Sequence, residues 1–431
     1  MMMKILITNL ILITITEKKM IILSMMMIME TILILKTNKF FCLTYSYIGM
    51  DSWSQSLMIL TILISTMMTS TMKKKDKLLM TMNLIMAITI LMMFSSMKML
   101  WFYITFELSL IPMMIIILGW GYQPERMMAG LYLLFYTMTA SLPLLISIFY
   151  LYKNNYTDLF LMKIVHNTSM ILNISITTAF LVKMPMFMLH FWLPKAHVQA
   201  PIFGSMILAG ILLKIGGLGI MRFSTITENS SLLMSTWWYS ISISGSIIIS
   251  MICMVQGDMK SMIAYSSITH MSMCLMSIIS MTKTGFLGGM MMMISHGLCS
   301  SGMFFLSNMT YERTKSRSMF INKGMMFFMP SNTMMWFMFS CLNMGCPPSI
   351  NFFSEISIMM TMLSFWKSSW ILIIMISFLV SYYSFFMFSY SQHGQFSSNY
   401  SSSNSNIKEY NLMNFHLYPM ISLTMQMEMF F

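Results

Sequence analysis

Apolar runs separated by short polar clusters organise most of this chain. Many of the runs approach the ~20 residues that an α-helix needs to cross a bilayer. The pattern predicts about 14 such helices, at residues 3–15, 20–36, 54–72, 78–96, 99–119, 128–151, 170–191, 202–221, 232–254, 261–281, 286–308, 325–365, 370–390 and, more weakly, 415–431. We therefore expect an all-α integral membrane protein with no sizeable soluble domain.

Prolines interrupt two of these predicted spans. Pro185 lacks an N–H, and its ring clashes with the carbonyl four residues earlier, which predicts a break beside Lys183. The stretch 325–365 is too long for one straight crossing, and Pro347 and Pro348 must interrupt it, so we interpret it as one broken span. Two broken helices suggest a duplicated architecture.

Composition supports a membrane protein. Hydrophobic side chains make up 57% of the 431 residues and charged ones 9%, against roughly a quarter charged in soluble proteins. A water-soluble globule is excluded, because so few charges cannot cover its surface. The net charge of +12 comes from short basic clusters between apolar runs, as topology determinants would be, so we expect no nucleic-acid partner.

Motifs for metals and nucleotide cofactors are missing from the sequence. The six cysteines form no C-x-x-C pair, no G-x-G-x-x-G follows a strand pattern, and no G-x-x-x-x-G-K-[ST] or H-E-x-x-H occurs. We therefore expect neither a metal site nor a cofactor on this chain.

Methionine is used far more often than packing requires, with 65 residues in the chain. Because Met replaces Leu or Ile freely in apolar surroundings, the excess indicates a coding bias. A genome that reads an additional isoleucine-like codon as Met, as many animal mitochondria do, would produce it. The bias favours an organelle-encoded protein.

Four ionisable residues lie inside predicted spans, where a charge costs at least about 2.5 to 3.5 kcal/mol and needs a partner, water or a function. They are Glu107, Lys183, Lys214 and Glu355. Lys183 and Glu355 lie near the proline breaks, where freed carbonyls are tolerated if water or protein satisfies them. Glycines around Lys214 allow neighbouring helices to enclose its amine. Glu107 and Lys183 could exchange a proton when their separation changes.

Histidines extend this series of polar groups. His270 shares one helix face with Ser266, Cys274 and Ser277, and His296 shares the next with Ser300, a pattern that suits water-mediated proton relay. His190 and His197 lie near the end of a predicted span and could connect the path to one aqueous face.

Structural alternatives exist for each of these residues. Buried Glu and Lys residues can serve only to fasten helices together, and His270 and His296 can be core histidines bonded to carbonyls. Lys195, Asp258 and Lys260 lie at predicted helix ends and are interpreted as interfacial anchors or loop ties.

Four motifs make the sequence recognisable: LVKMPMFMLHFWLPKAHVQAPIFGSMILAGILLKIGGLG, DMKSMIAYSSITHMSM, SHGLCSSGMFFLSNMTYERTKSRS and PPSINFFSEIS. Over roughly residues 99–365 the chain closely resembles the subunit 4 family of mitochondrial NADH–ubiquinone oxidoreductase, the respiratory complex I. Members of this family are antiporter-like membrane subunits. The first hundred residues and the tail fit the family by hydropathy and order alone.

The resemblance implies fourteen transmembrane helices with two inverted five-helix repeats, each containing a broken helix. We place three N-terminal spans in residues 1–77, the first antiporter-like repeat in 78–223 and the second in 224–391. Residues 392–431 then hold a Ser/Asn-rich loop and a C-terminal helix.

The resemblance also implies roles for residues that burial had selected. Glu107, Lys183, Lys214 and Glu355 match the family positions that carry a proton path. The full predicted site adds the relay residues His270 and His296, then His190, and the helix-breaking Pro185, Pro347 and Pro348. One departure is Gln199, where the family usually has Glu, which puts an acidic role for that loop in doubt.

The implied function is proton translocation as one subunit of an H⁺-translocating NADH:ubiquinone reductase, with no complete active site on this chain. NADH, FMN, iron–sulfur clusters and ubiquinone would belong to partner subunits. The implied partners are other complex I subunits, especially adjacent antiporter-like ones, and lipids such as cardiolipin. A component of an Mrp-type cation/proton antiporter and a structural membrane scaffold are the alternatives.

Overall fold

A computed structural model describes residues 43–45, 48–72, 76–155, 157–160, 169–395 and 405–425. The predicted spans at 3–15 and 20–36, and Cys42, lie outside the described residues. The first described element is a short antiparallel pair of strands, β1 (Leu43–Tyr45) and β2 (Ile48–Met50), in which Leu43 faces Met50. Everything that follows is helical or connects helices.

The helices, in chain order, are α1 (Ser52–Thr71), α2 (Lys77–Phe94), α3 (Met99–Leu108), α4 (Leu110–Trp120), α5 (Arg126–Asn155), α6 (Met170–Lys183), α7 (Trp192–Gln199), α8 (Ile202–Ile207), α9 (Leu213–Ile226), α10 (Glu228–Val255), α11 (Met259–Ile279), α12 (Lys283–Thr314), α13 (Pro330–Asn343), α14 (Ile350–Phe365), α15 (Trp370–Gln392) and α16 (Ile407–Ser422). A π-helical turn (Leu208–Leu212) joins α8 to α9, and 3₁₀ turns (Met325–Phe327 and Lys367–Ser369) precede α13 and α15.

The predicted membrane fold is confirmed. Each predicted span from 54–72 to 370–390 corresponds to one helix or to a pair of helices. Within the described residues, eight helical segments are long and apolar enough to cross a membrane, and α6 and α14 are shorter apolar helices. These two shorter helices flank the predicted proline breaks.

The C-terminal helix lies at a different place from the one predicted. It occupies Ile407–Ser422, whereas the apolar pattern indicated 415–431. Asn406 and Glu409 form a capping box, in which the Glu409 carboxylate accepts from the backbone N–H of Asn406 at 3.0 Å. This cap sets the first turn in a polar stretch, so the apolar pattern started too late.

Hydroxyl groups inside the helices are satisfied locally. Ser267 Oγ, for example, donates to the carbonyl of Ala264 at 2.6 Å, and the same one-turn bond recurs along most helices. Because no water is present in the bilayer core, such bonds allow a Ser-rich sequence to remain helical there.

The chain forms two compact units. The first contains residues 1–183 and 199–233, and the second contains 184–198 and 234–431. Contacts within each unit explain this division. In the first unit, the Asn173 amide donates to the Ser230 hydroxyl at 3.0 Å. In the second, the ring of His197 stacks on that of Phe304 at 4.7 Å. The four segments expected from the sequence stay a prediction.

An aromatic cluster forms the centre of the first unit. Phe102, Phe106, Phe160, Phe180 and Phe223 are all buried, and their ring centroids lie 5.2 to 6.3 Å apart in the contacting pairs. A side chain at position 219 would bring its Cβ to 2.3 Å from the Phe180 ring, so the glycine there permits α6 and α9 to approach. Helices α3, α6 and α9 are thereby held together.

Helix α12 is central to the second unit. It packs against α11, α13, α14 and α16, and its most apolar stretch is completely buried. A Cβ at position 302 would lie 2.3 Å from the ring of Phe339, so only glycine permits this approach of α12 to α13. Inside a bilayer no hydrophobic driving force brings helices together. Small residues instead allow the helices to pack closely and gain van der Waals contact.

Candidate functional site

Lys183 is the last residue of α6, where the sequence predicted the break, and its side chain is buried. Residues 184–191 form turns before α7 begins at Trp192. The Lys183 ammonium donates to the carbonyl oxygen of Phe106 at 3.2 Å and lies 3.3 Å from the centroid of the Phe106 ring. A desolvated cation on an aromatic face gains about 2 kcal/mol or more. The amine is therefore held by two uncharged groups, the carbonyl and the ring of Phe106.

Glu107 follows Phe106 directly, so the structure brings Glu107 and Lys183 together in the first unit. The charge of Glu107 acts on the Lys183 amine. Both Glu107 carboxylate oxygens are buried, and neither has a hydrogen-bond partner in the described part of the chain. The two groups are thus coupled through the electric field and are not joined by a direct hydrogen bond.

A local irregularity lies beside Glu107 in the span predicted at 99–119. Helix α3 ends at Leu108 and α4 begins at Leu110, but Ser109 between them keeps helical backbone angles, with a φ of −66° and a ψ of −20°. The two pieces together form one apolar segment, Met99–Trp120, as the sequence predicted. Pro112 has no N–H to donate to the carbonyl of Leu108, four residues earlier, which is the physical reason for the irregularity. Glu107 therefore lies within a span, whereas Lys183 lies at a helix end.

Lys214 lies in the first turn of α9 and is fully buried. Its ammonium donates to the carbonyl oxygen of Ala209 at 2.5 Å. Ala209 belongs to the π-helical turn Leu208–Leu212, where the wider winding shifts carbonyls out of the regular ladder. The sequence predicted the enclosure of Lys214 by small residues but gave no sign of the π turn.

In the second unit, His270 of α11 and His296 of α12 are both buried, with ring centroids 5.7 Å apart. The hydroxyl of Tyr383 on α15 lies 3.4 Å from His270 Nε2 and 2.9 Å from Thr269 Oγ1. Sequence reasoning missed Tyr383 and Thr269, because a tyrosine or threonine in an apolar run carries no local sign of function. The structure thus adds a phenol to the predicted histidine pair.

Glu355 is buried on α14, beside the second break. Its carboxylate lies against the backbone of Gly345, where an added Cβ would be 2.5 Å from Glu355 Oε2. Oε1 has no hydrogen-bond partner within the described ranges. The charge of Glu355 is near enough to act on the Tyr383 hydroxyl.

The break before α14 contains Pro347 and Pro348, as predicted. One consequence of the interruption is visible at the end of α13, where the Leu342 carbonyl accepts from the Asn351 side-chain amide at 2.7 Å. An amide from the following helix thus satisfies a carbonyl at the interrupted end. Asn351 was not identified from the sequence.

His190 and His197 are both buried in the second unit, and the ring of His190 lies 4.5 Å from that of Phe191. Their expected connection to an aqueous face stays a prediction. Ser266 and Ser277, expected in a relay stripe, donate to carbonyls of their own helix at 2.8 and 2.7 Å. Backbone bonding therefore competes with any role of these hydroxyls in relay.

Of the three predicted helix-end anchors, Lys195 and Asp258 are exposed, but Lys260 is fully buried. An interfacial-anchor role does not fit Lys260, because its side chain is buried, and the alternative of a loop tie stays a prediction. Across the described residues, no group of three or more His, Cys, Asp or Glu side chains could hold a metal ion.

Comparison with known proteins identifies the family of this chain. The family described as "NADH:quinone oxidoreductase/Mrp antiporter, TM" matches residues 96–384. The chain is 45% identical over 404 residues to NADH-ubiquinone oxidoreductase chain 4 of Ceratitis capitata, which covers 90% of both chains. It belongs to the NADH-ubiquinone oxidoreductase chain 4 family. A relative with the same name from Aedes aegypti is 47% identical and covers 75% of this chain and 73% of that one.

Solved structures agree with this chain 4 family membership at the level of fold. A chain of respiratory complex I from Thermus thermophilus superposes with a TM-score of 0.89 at 18% identity, covering 98% of this chain and 95% of that one. A chain of the Mrp complex from Dietzia sp. DQ12-45-1b gives 0.85 at 12% identity, covering 99% and 94%. The antiporter-like fold expected from the sequence is confirmed, and this member of the chain 4 family is a multi-pass protein of the mitochondrial inner membrane.

Gln199, where the resemblance implied a glutamate, has its own contact in the first unit. Gln199 is buried, and its amide donates to Glu125 Oε2 at 3.1 Å. A carboxylate at position 199 would face Glu125 without a donor. The structure therefore explains why this chain accommodates an amide at that position.

Proposed function

We propose that this protein translocates protons as a membrane subunit of an NADH:ubiquinone oxidoreductase. NADH oxidation and ubiquinone reduction, with the flavin and the iron–sulfur clusters, belong to other subunits of such an assembly. Adjacent antiporter-like subunits are the expected neighbours. The observation that carries the proposal is the burial of an ionisable group beside a helix break in each unit, Lys183 in the first and Glu355 in the second.

In the first unit, this coupling allows a proton to be exchanged. The Phe106 carbonyl and ring hold the Lys183 ammonium, so Lys183 does not depend on Glu107 for its hydrogen bond. A change in the electric field or in the separation of the two groups then alters the balance between their charged and neutral forms. Moving one charge across 100 mV costs about 2.3 kcal/mol, a magnitude that such electrostatic coupling can match.

In the second unit, His296, His270 and Tyr383 form the proposed relay, and Glu355 acts on it electrostatically. Thr269 Oγ1 donates to the Ser266 carbonyl, so it accepts from the Tyr383 hydroxyl, and that hydroxyl can accept a proton from His270 Nε2 as its own proton leaves, with no net charge left on the phenol. A neutral hydroxyl is an economical relay element in a buried site, because an ionised group there is expensive.

Substitution of Glu355 tests the proposal. In inverted membrane vesicles that carry the complete assembly, Glu355→Gln or Lys214→Gln should abolish NADH-driven acidification measured with a pH-sensitive dye. NADH oxidation in the presence of an uncoupler should persist, and native electrophoresis should show an assembled complex. The control is Lys195→Gln, which removes an exposed positive charge. Full acidification with both Glu355→Gln and Lys214→Gln would contradict the proposal and would favour a structural membrane scaffold.

A second candidate function is that of a component of an Mrp-type cation/proton antiporter, because the fold is shared with the Mrp complex. Native electrophoresis of the source membrane, followed by identification of the co-migrating chains, separates the two. Co-migration with redox subunits supports the oxidoreductase. Migration with antiporter components alone supports the second candidate.

A further inference from the structure

Helix α13 ends in a glycine turn that is flanked by two cysteines. Gly345 has a left-handed φ of 74°, and its N–H donates to the Leu342 carbonyl at 3.2 Å. The N–H of the next residue, Cys346, donates to the Cys341 carbonyl at 3.0 Å. A left-handed glycine with these two nested bonds is the Schellman motif, a common end of an α-helix. Cys341 is the third residue from the end of α13, and Cys346 is the second residue beyond its cap.

This motif brings the side chains of Cys341 and Cys346 together. Residues at these two positions of a Schellman motif commonly make side-chain contact. The Cys341 thiol is hydrogen-bonded to the side chain of Cys346, and both cysteines are free. Because a main-chain bond also joins the two residues, bond lengths limit their Cα separation to about 7 Å, the largest distance that a disulfide can bridge. The helix end therefore places two thiols within reach of each other.

The pair lies on a partly exposed, apolar surface of the second unit. Cys341 and Cys346 are partly exposed, whereas Cys253 is fully buried. Phe337, one helical turn before Cys341, is 42% exposed, and Phe353 on α14 is 41% exposed. These residues all belong to the predicted span 325–365, where the solvent is lipid. An oxidant that dissolves in the bilayer therefore fits this surface better than a water-borne one.

We propose that Cys341 and Cys346 form a redox-active dithiol, which an organic peroxide of the bilayer oxidises to a disulfide. One thiol attacks the peroxide, the O–O bond breaks, and a sulfenic acid forms while the leaving alkoxide takes the thiol proton and becomes an alcohol. The second thiol attacks the sulfenic sulfur, the S–S bond forms, and the hydroxyl group leaves as water with the second proton. The two sulfurs together lose two electrons, which the peroxide gains.

A disulfide at this position would fix the backbone between the two cysteines. Gly345 lies in that segment, and a Cβ added there would be 2.5 Å from Glu355 Oε2, so the segment borders the Glu355 carboxylate. Oxidation would therefore restrain one side of the second helix break. The chemistry of the dithiol does not depend on the proposed proton path, and neither cysteine is part of that path.

Counting free thiols after oxidation tests this proposal. Membrane vesicles that carry the complete assembly are treated with cumene hydroperoxide, which is apolar, or with hydrogen peroxide, and are then denatured and labelled with N-ethylmaleimide. Trypsin cleaves after Lys323 and Lys367, so residues 324–367 form one peptide that contains both cysteines and no other. Mass spectrometry should find two maleimides on this peptide before treatment with cumene hydroperoxide and none after it. Both should return when dithiothreitol reduces the disulfide before labelling.

Two controls separate a paired oxidation from a single one. Cys253 is fully buried and is the one cysteine of the tryptic peptide 223–260, so it should keep its maleimide throughout. In Cys346→Ala, Cys341 lacks its partner thiol and should keep its maleimide at the peroxide dose that removes both from the wild type. If native electrophoresis shows that this variant does not assemble, Cys341→Ala replaces it, and Cys346 should then keep its label.

Three results would overturn the proposal. Retention of both maleimides by the treated wild type would show that the pair does not close. Loss of the label from the remaining cysteine of the alanine variant would show that each thiol reacts alone. Closure by hydrogen peroxide but not by cumene hydroperoxide would show that the oxidant reaches the thiols from water and would contradict the bilayer source.

Discussion

The hydroxyl of Tyr383 lies 3.4 Å from Nε2 of His270, although 113 residues separate them in the chain. The same hydroxyl lies 2.9 Å from Thr269 Oγ1, the neighbour of His270 on α11. All three side chains are buried. A phenol is thereby placed where it can exchange a proton with a histidine.

The first prediction concerns Tyr383→Phe, which removes only the hydroxyl and keeps the ring. If the phenol belongs to the relay, NADH-driven acidification of vesicles should fall about tenfold or more, because a positioned proton-transfer group contributes at least that much. The matched control is Tyr382→Phe, whose ring is 51% exposed on the same helix and should leave acidification unchanged. Equal rates in the two variants would remove Tyr383 from the relay.

The second prediction concerns the contact between Gly345 and the Glu355 carboxylate. Gly345→Ala would place a Cβ 2.5 Å from Glu355 Oε2, which is too close for the two atoms to pack. It would also put a side chain on a residue with a left-handed φ of 74°. We expect the carboxylate to move and acidification to be lost while the complex still assembles. Gly394→Ala is the control, because its φ of 106° is also left-handed but its Cβ would lie 3.7 Å from the nearest side-chain atom. If both variants lose acidification, the strain of a side chain at a left-handed φ explains the loss, and the contact with Glu355 does not.

The third prediction concerns the buried ion pair of Arg222 and Asp51. Arg222 Nη2 lies 3.0 Å from Asp51 Oδ1 and 2.6 Å from the Phe94 carbonyl, so it fastens α9 to the start of α1. Asp51→Asn leaves the guanidinium without its counter-charge and should destabilise the protein by about 3 to 5 kcal/mol. A large fall in the Tm of the solubilised assembly would report this loss.

The matched control for that pair is Lys98→Gln, which breaks a partly exposed ion pair with Asp158 whose charged atoms lie 3.9 Å apart. Because solvent screens it, we expect a loss of about 0.2 to 1 kcal/mol. Similar falls in Tm for the two variants would show that burial of Arg222 and Asp51 is not what makes their pair important.

The fourth prediction concerns Gln199, which donates to Glu125 at 3.1 Å. Gln199→Glu replaces the donor by a second carboxylate and should destabilise the protein by about 1 kcal/mol at neutral pH, an amount limited by the exposure of Glu125. Lowering the pH of the solution should restore the lost stability, since a protonated carboxyl can donate again. Gln199→Leu removes the hydrogen bond without adding charge, so its Tm should not recover at low pH. A pH-independent loss with Gln199→Glu would contradict this explanation.

Much of the candidate site could be predicted from local sequence. Apolar run length identifies helices because the bilayer thickness is fixed. Pro185, Pro347 and Pro348 indicate breaks because their missing N–H is a covalent property. Lys183 and Glu355 stand out because a charge in an apolar span is costly wherever the helix packs. Each of these signals is carried by a residue and its immediate neighbours.

Partners across the fold could not be read in this way. Tyr383 looks like any tyrosine of an apolar run, and only the packing of α15 against α11 brings it to His270. Lys260 looked like an exposed helix-end anchor, and only the fold buries its side chain. The sequence by itself determined which groups are buried at a cost and where helices must break, because bilayer thickness and covalent structure act locally. Tertiary structure alone decided which groups meet, because a contact depends on the positions of two distant segments at once.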